Sequence, residues 1–225
     1  MNTISQTVFS GVLTIILFIV SRISINSLFQ LCYRFTSNNS FVYVLIALVL
    51  LPGTILHELS HAFMAMILHL KIRDIQMFPQ WKHSEIKLGS VIYEKKDVFR
   101  SILVGVSPLF VGLGVLWWLY TLGLYQTSSI LQIMGVSYLV FVISTTMFSS
   151  KQDLIDILYL IPILVLIFAV IYVFQGEFRS LFRLIEVEGV ARFMYAIRTY
   201  LIVAIGIHIG IIVISKCMRV FLNKL

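Results

Sequence analysis

The sequence predicts an all-α polytopic membrane protein of about six transmembrane helices, with a small β-hairpin element in the loop at 70–100. Of its 225 residues, 60% are hydrophobic and only 12% charged, about half the charge of a soluble domain, and mean hydropathy is +1.00. So few charges cannot cover a water-facing globule, which excludes a soluble enzyme. Six stretches reach the ~20 apolar residues that a spanning helix needs, at about 5–26, 41–69, 101–124, 128–148, 154–175 and 199–217. With 12 Gly and 4 Pro there is no low-complexity linker, so 1–225 reads as a single integral membrane domain.

The first stretch has no basic leader before it and no small-residue cleavage site after it, so it reads as a retained span. Arg22 near its end would snorkel to the interface. In the 70–100 loop the period changes. Glu85-Ile86-Lys87-Leu88 alternates, Gly89-Ser90 can turn, and Val91-Ile92-Tyr93 is β-branched and aromatic, which predicts a hairpin at the membrane surface. Residues 176–198 read as an amphipathic interfacial segment with Phe178, Leu181, Phe182 and Ile185 on one face.

Orientation follows from the basic residues. Six spans put Lys71, Arg73, Lys82, Lys87, Lys95, Lys96, Arg100, Lys151, Lys216, Arg219 and Lys224 on one side, eleven of the 17 Lys and Arg. The positive-inside rule then makes both termini cytoplasmic, in the cell membrane. This count also sets Cys32 and Cys217 at opposite faces, where they could not pair. The basic loop carries no nucleic-acid motif, so the expected partner on this evidence is the lipid bilayer, not nucleic acid.

The second stretch contains His57-Glu58-Leu59-Ser60-His61, an H-E-x-x-H. On a helix, positions i and i+4 share a face, so both imidazoles can reach one zinc ion and the Glu can reach the attacking water. At this composition roughly 0.003 matches are expected by chance. Three ionisable residues within one membrane turn also need a reason; the structural alternative is a polar knot between helices.

Two His need a third protein ligand to form a catalytic zinc site. Asp153 and Asp156 stand at the start of the fifth stretch. Ser150-x-x-Asp153 before an apolar run also reads as a capping box, and Asp156, one turn on, is the alternative ligand. Glu85, Glu94, Glu177, Glu186 and Glu188 sit in solvated loops.

These residues resemble the site-2 protease family of intramembrane zinc proteases, over about 41–160, which would be the catalytic core. The likeness rests on H-E-x-x-H in a membrane helix, a β-rich loop after it and a later membrane helix bearing Asp. It implies a compact member without a PDZ domain, with zinc on His57, His61 and Asp153, Glu58 as general base, and a membrane-protein substrate added as a strand at 84–93. The chain departs from the family at Asp153, which is not preceded by Asn-Pro, and at Ser107-Pro108, where many members carry Gly-Pro followed by Asn. Two other classes fit the motif: a membrane peptidase with a Glu third ligand, and a non-catalytic metal-binding or transport relative. Of the other histidines, His208 within Gly206-Ile-His-Ile-Gly210 reads as packing, and His69 as interfacial. Trp117 and Trp118 read as an aromatic belt.

Overall fold

The computed structural model describes residues 3–78, 80–82, 85–87, 89–94, 96–123, 129–148, 155, 158, 159, 166 and 188–222. Helices α1 (Thr3–Thr36) and α2 (Asn39–Ile67) are followed by four short strands, β1 (Ile72–Gln76), β2 (Gln80–Lys82), β3 (Glu85–Lys87) and β4 (Ser90–Tyr93). Helices α3 (Val98–Thr121), α4 (Ile130–Thr146) and α5 (Glu188–Leu222) complete the described elements. Four segments, Phe9–Thr36, Asn39–Ile67, Val98–Thr121 and Arg192–Leu222, are long and apolar enough to cross a membrane. At 17 residues α4 is shorter, about 25 Å against a hydrocarbon core of ~30 Å. The expected span at 154–175 lies largely outside the described residues, so the count of six is not reached.

Lipid is the solvent that this surface suits. Ile130, Leu131, Met134, Phe110, Trp118 and Phe221 are all exposed, an apolar density that a soluble monomer does not carry. Helix association in lipid depends on close packing and polar contacts, and both are present. Gly53 of α2 lies against α4 so closely that a Cβ there would stand 2.6 Å from Val142 Cγ1 and 2.9 Å from the Val142 carbonyl oxygen. Tyr138 Oη of α4 donates to the Val49 carbonyl of α2 at 2.8 Å, and Tyr200 Oη of α5 donates to the Leu119 carbonyl of α3 at 3.1 Å. Leu17, Leu116, Val140, Leu201 and Ala204 are fully buried where α1, α3, α4 and α5 meet.

Helix ends follow local chemistry. The Asn38 side chain caps α2 by accepting from Phe41 N–H, and the Asp97 side chain caps α3 by accepting from Arg100 N–H at 2.7 Å, each at the third helical position. Arg100 also donates to the Leu68 carbonyl at the end of α2. There the chain closes a Schellman motif: Leu70 N–H reaches the Ala65 carbonyl and His69 N–H the Met66 carbonyl, with His69 at φ 53°. Glycine is the usual residue at that left-handed position. Leu70, Ala65 and Val104 form a small buried cluster under it.

Three expectations are corrected. The strands of the expected hairpin exist but do not pair with each other: β4 pairs antiparallel with β1, Ile75 opposite Val91 and Gln76 opposite Ser90, while β3 pairs with β2. The polar segment ahead of the last span is not separate from it between 188 and 198, because α5 runs unbroken from Glu188 to Leu222; Phe178, Leu181, Phe182 and Ile185 lie outside the described residues. Finally, Arg219 in the last turn of α5 bonds Gln30 near the end of α1, and Ile207 and Ile211 share a cluster with Ile25 and Leu28. The first and last helices therefore run the same way. Six crossings would oppose them and put both termini on one side. Cys32 and Cys217, both free thiols, accordingly lie toward one end of the α1–α5 pair and not at opposite faces.

Candidate metal centre

Helix α2 presents His57, Glu58 and His61 inward, and all three are buried. The imidazole rings meet edge to face, with centroids 4.7 Å apart, and their Nε2 atoms are 3.2 Å apart. A tetrahedral zinc with Zn–N bonds of 2.0–2.1 Å holds two nitrogens about 3.3–3.4 Å apart. The pair is thus spaced as two zinc ligands are.

The proton on His61 can be assigned from its partner. His61 Nδ1 lies 2.8 Å from the Val104 carbonyl oxygen of α3, and a carbonyl only accepts, so Nδ1 carries the hydrogen. In the neutral ring Nε2 is then the lone-pair nitrogen, and it is the one that faces His57. A ligating histidine commonly donates its other N–H to a backbone carbonyl in this way, which fixes ring orientation and tautomer.

Glu58 sits under the β-strand region. A Cβ at Gly89 would stand 2.6 Å from Glu58 Cγ and 2.8 Å from Oε1, so a side chain there would push this carboxylate out of its present position. On the far side a small void beside His57 is lined by Gly53, Leu56, Pro108, Gly112, Ile143, Thr146 and Met147, from α2, α3 and α4. The site is therefore enclosed by three helices and roofed by a loop.

Of the residues expected from sequence, His57, Glu58 and His61 are brought together here. Asp153 and Asp156 lie outside the described residues, and among the described residues no group of three or more His, Cys, Asp or Glu could hold a metal ion. Glu94 is exposed and pairs with Arg73 at 2.9 Å. His208 is fully buried between α4 and α5, 2.9 Å from Ser144 Oγ, and packs; the flanking Gly206 and Gly210 make no close approach, since a Cβ on either would meet nothing within 4 Å among the described residues. Trp117 and Trp118 lie exposed near the end of α3, where Trp117 meets Phe193 and Tyr120 meets Tyr195 and Tyr200. Sequence reasoning missed Val104 and Gly89. A backbone carbonyl leaves no side-chain signature, and Gly89 read as a turn residue. Comparison with protein-family models, curated proteins and solved structures finds no match for this chain.

Proposed function

We propose that this chain is a zinc-dependent intramembrane endopeptidase, similar to the site-2 proteases, that hydrolyses peptide bonds in or near the membrane-spanning segments of other membrane proteins. One observation carries the reading: two buried Nε2 atoms converge at 3.2 Å beside a buried carboxylate on the next residue. Burying three ionisable groups in a membrane helix is expensive, and a metal site with its base is the arrangement that uses all three. His57 and His61 hold the zinc, with Asp153 as the third ligand. Zinc, when bound, supplies polarisation of the scissile carbonyl and a more acidic water. Glu58 would act as the base toward the attacking water and would return the proton to the leaving amide nitrogen, a role worth about 10²–10⁴-fold.

The strand region fits substrate delivery. A helical segment must be unwound before its peptide bond can be attacked, and an extended strand added to a sheet edge keeps its main-chain bonds satisfied. β4 follows directly on Gly89, which lies on Glu58, so a strand added there runs past the base. On this reading the N-terminus and the strand region share the cytoplasmic side of the cell membrane, an orientation that Lys71, Arg73, Lys96 and Arg100 support by the positive-inside rule.

The test is Glu58→Gln in purified, detergent-solubilised protein, with a fluorescently tagged transmembrane peptide as substrate. The variant keeps zinc and its unfolding temperature while cleavage falls at least 10²-fold. Wild-type turnover in Glu58→Gln removes Glu58 as base. Asp153→Asn releases zinc on this reading. Retention of zinc with both Asp153 and Asp156 replaced transfers the third position to a Glu.

A further inference from the structure

The carbonyl that orients His61 is available for a reason written in α3. An α-helical carbonyl accepts the N–H four residues on, and proline has none. Pro108 lies inside α3, and four residues before it is Val104. The released Val104 oxygen takes two other donors, Ser107 Oγ at 2.7 Å and His61 Nδ1 at 2.8 Å, all within a buried contact between α2 and α3. We infer that Pro108 is a positioning residue for the histidine pair: by removing the helical donor it frees the Val104 carbonyl to hold the His61 ring with its proton on Nδ1 and its Nε2 lone pair toward His57.

Pro52 in α2 serves as an internal comparison. By the same rule it releases the carbonyl of Leu48, a residue exposed on the outer face of α2 and nine positions before His57. A proline in a membrane helix is therefore not in itself a positioning device. Pro108 is one because the oxygen it frees points at a ring whose second nitrogen faces another imidazole. Its own ring also lines the void beside His57, so the break in hydrogen bonding and the wall of the site come from one residue.

The zinc side of this inference rests on the metal-site reading above; the tautomer side does not. The experiment is ¹⁵N NMR of the full-length, metal-free protein labelled at histidine, with the His61 signals assigned by their loss in His61→Ala. Wild type shows His61 protonated at Nδ1 and unprotonated at Nε2. In Pro108→Ala the new N–H takes the Val104 oxygen, both tautomers appear, and zinc affinity falls 10–100-fold, the range for loss of an outer-shell partner. Ser107→Ala, which removes only the other donor, leaves the tautomer as in wild type. Should Pro108→Ala fail to fold, glycolic acid in place of Gly105 turns the Val104 carbonyl into an ester, a weaker acceptor, with no side chain altered; the same shift and the same loss of affinity are expected. A wild-type ring protonated on Nε2 overturns the inference. So does a wild-type tautomer in the Pro108→Ala or the ester protein. Wild-type protein that binds no zinc defeats the metal reading alone, because the NMR readout still decides the role of Pro108.

Discussion

Among the described residues histidine is buried at two places, and hydrogen bonding leaves their ring nitrogens in opposite states. At His208, Ser144 Oγ spends its one proton on the Phe141 carbonyl at 3.0 Å, so the contact with Nε2 at 2.9 Å has the imidazole donating. The Phe141 ring, 5.2 Å away, fills the space beside it. At His61 the carbonyl of Val104 takes the proton on Nδ1, and the lone pair on Nε2 is turned toward a second imidazole. Both rings are buried among apolar helices. One is a clamp between α4 and α5 whose Nε2 meets a hydroxyl, and the other turns its Nε2 to a second imidazole on its own helix. Burial of a histidine in a membrane protein is therefore a poor guide to chemistry. The partner of its second nitrogen is a better one.

The contrast can be broken most sharply by alanine. His57→Ala or His61→Ala should empty the site of zinc, because one imidazole and a carboxylate do not make a three-ligand centre. His208→Ala should keep the full complement and lose only the clamp, roughly 1–3 kcal/mol of stability for the buried partner left behind. Metal analysis and thermal unfolding on the same preparations read both effects. Zinc lost from His208→Ala, or kept in His57→Ala, reverses the assignment.

Next in size is the roof. Gly89→Val presses on the Glu58 side chain and displaces its carboxylate, and a displacement of about 1 Å at a reacting group is enough for ~10²-fold in rate. Peptide cleavage should fall by that order while zinc stays bound, since neither histidine is touched; wild-type cleavage would free Glu58 from any dependence on the strand region.

Glycines sharpen the comparison further. A Cβ at Gly53 would lie 2.5 Å from Thr146 Oγ1 and 2.9 Å from a backbone oxygen, so Gly53→Ala should cost about 1–3 kcal/mol by overpacking α2 on α4 one turn before His57. Gly206→Ala, beside His208, meets nothing within 4 Å among the described residues and should be neutral or slightly stabilising as a better helix former. Equal unfolding temperatures for the two variants would show that the close approach at Gly53 carries no weight. The smallest effect is at His69, whose φ of 53° suits glycine. His69→Gly should leave stability unchanged or raise it by up to about 1 kcal/mol, and a clear loss by thermal unfolding would give its exposed ring a role.

The pattern of what could be read from sequence follows the same physics. Spans α2 and α3 and the pairing of His57 with His61 are legible because they depend on local composition and on a spacing of four. Partner choice among strands is not. Glu85–Lys87 and Val91–Tyr93 flank a plausible turn, yet Ile72–Gln76, which does not alternate, is the strand that β4 finds. The early start of α5 was hidden by Arg192 and Arg198, which read as interfacial although no proline interrupts the helix. The Val104 carbonyl was invisible as a backbone atom, though Pro108 four residues on was its only available sign.

X-ray absorption at the zinc edge of the purified, zinc-loaded protein examines the proposed centre at its atoms. Two histidine nitrogens at about 2.0–2.1 Å, the rest oxygen and no sulfur, are expected, with the histidine scattering reduced in His61→Ala and unchanged in His208→Ala. A spectrum with no imidazole contribution, or protein that takes up no zinc, would contradict a metal site on His57 and His61.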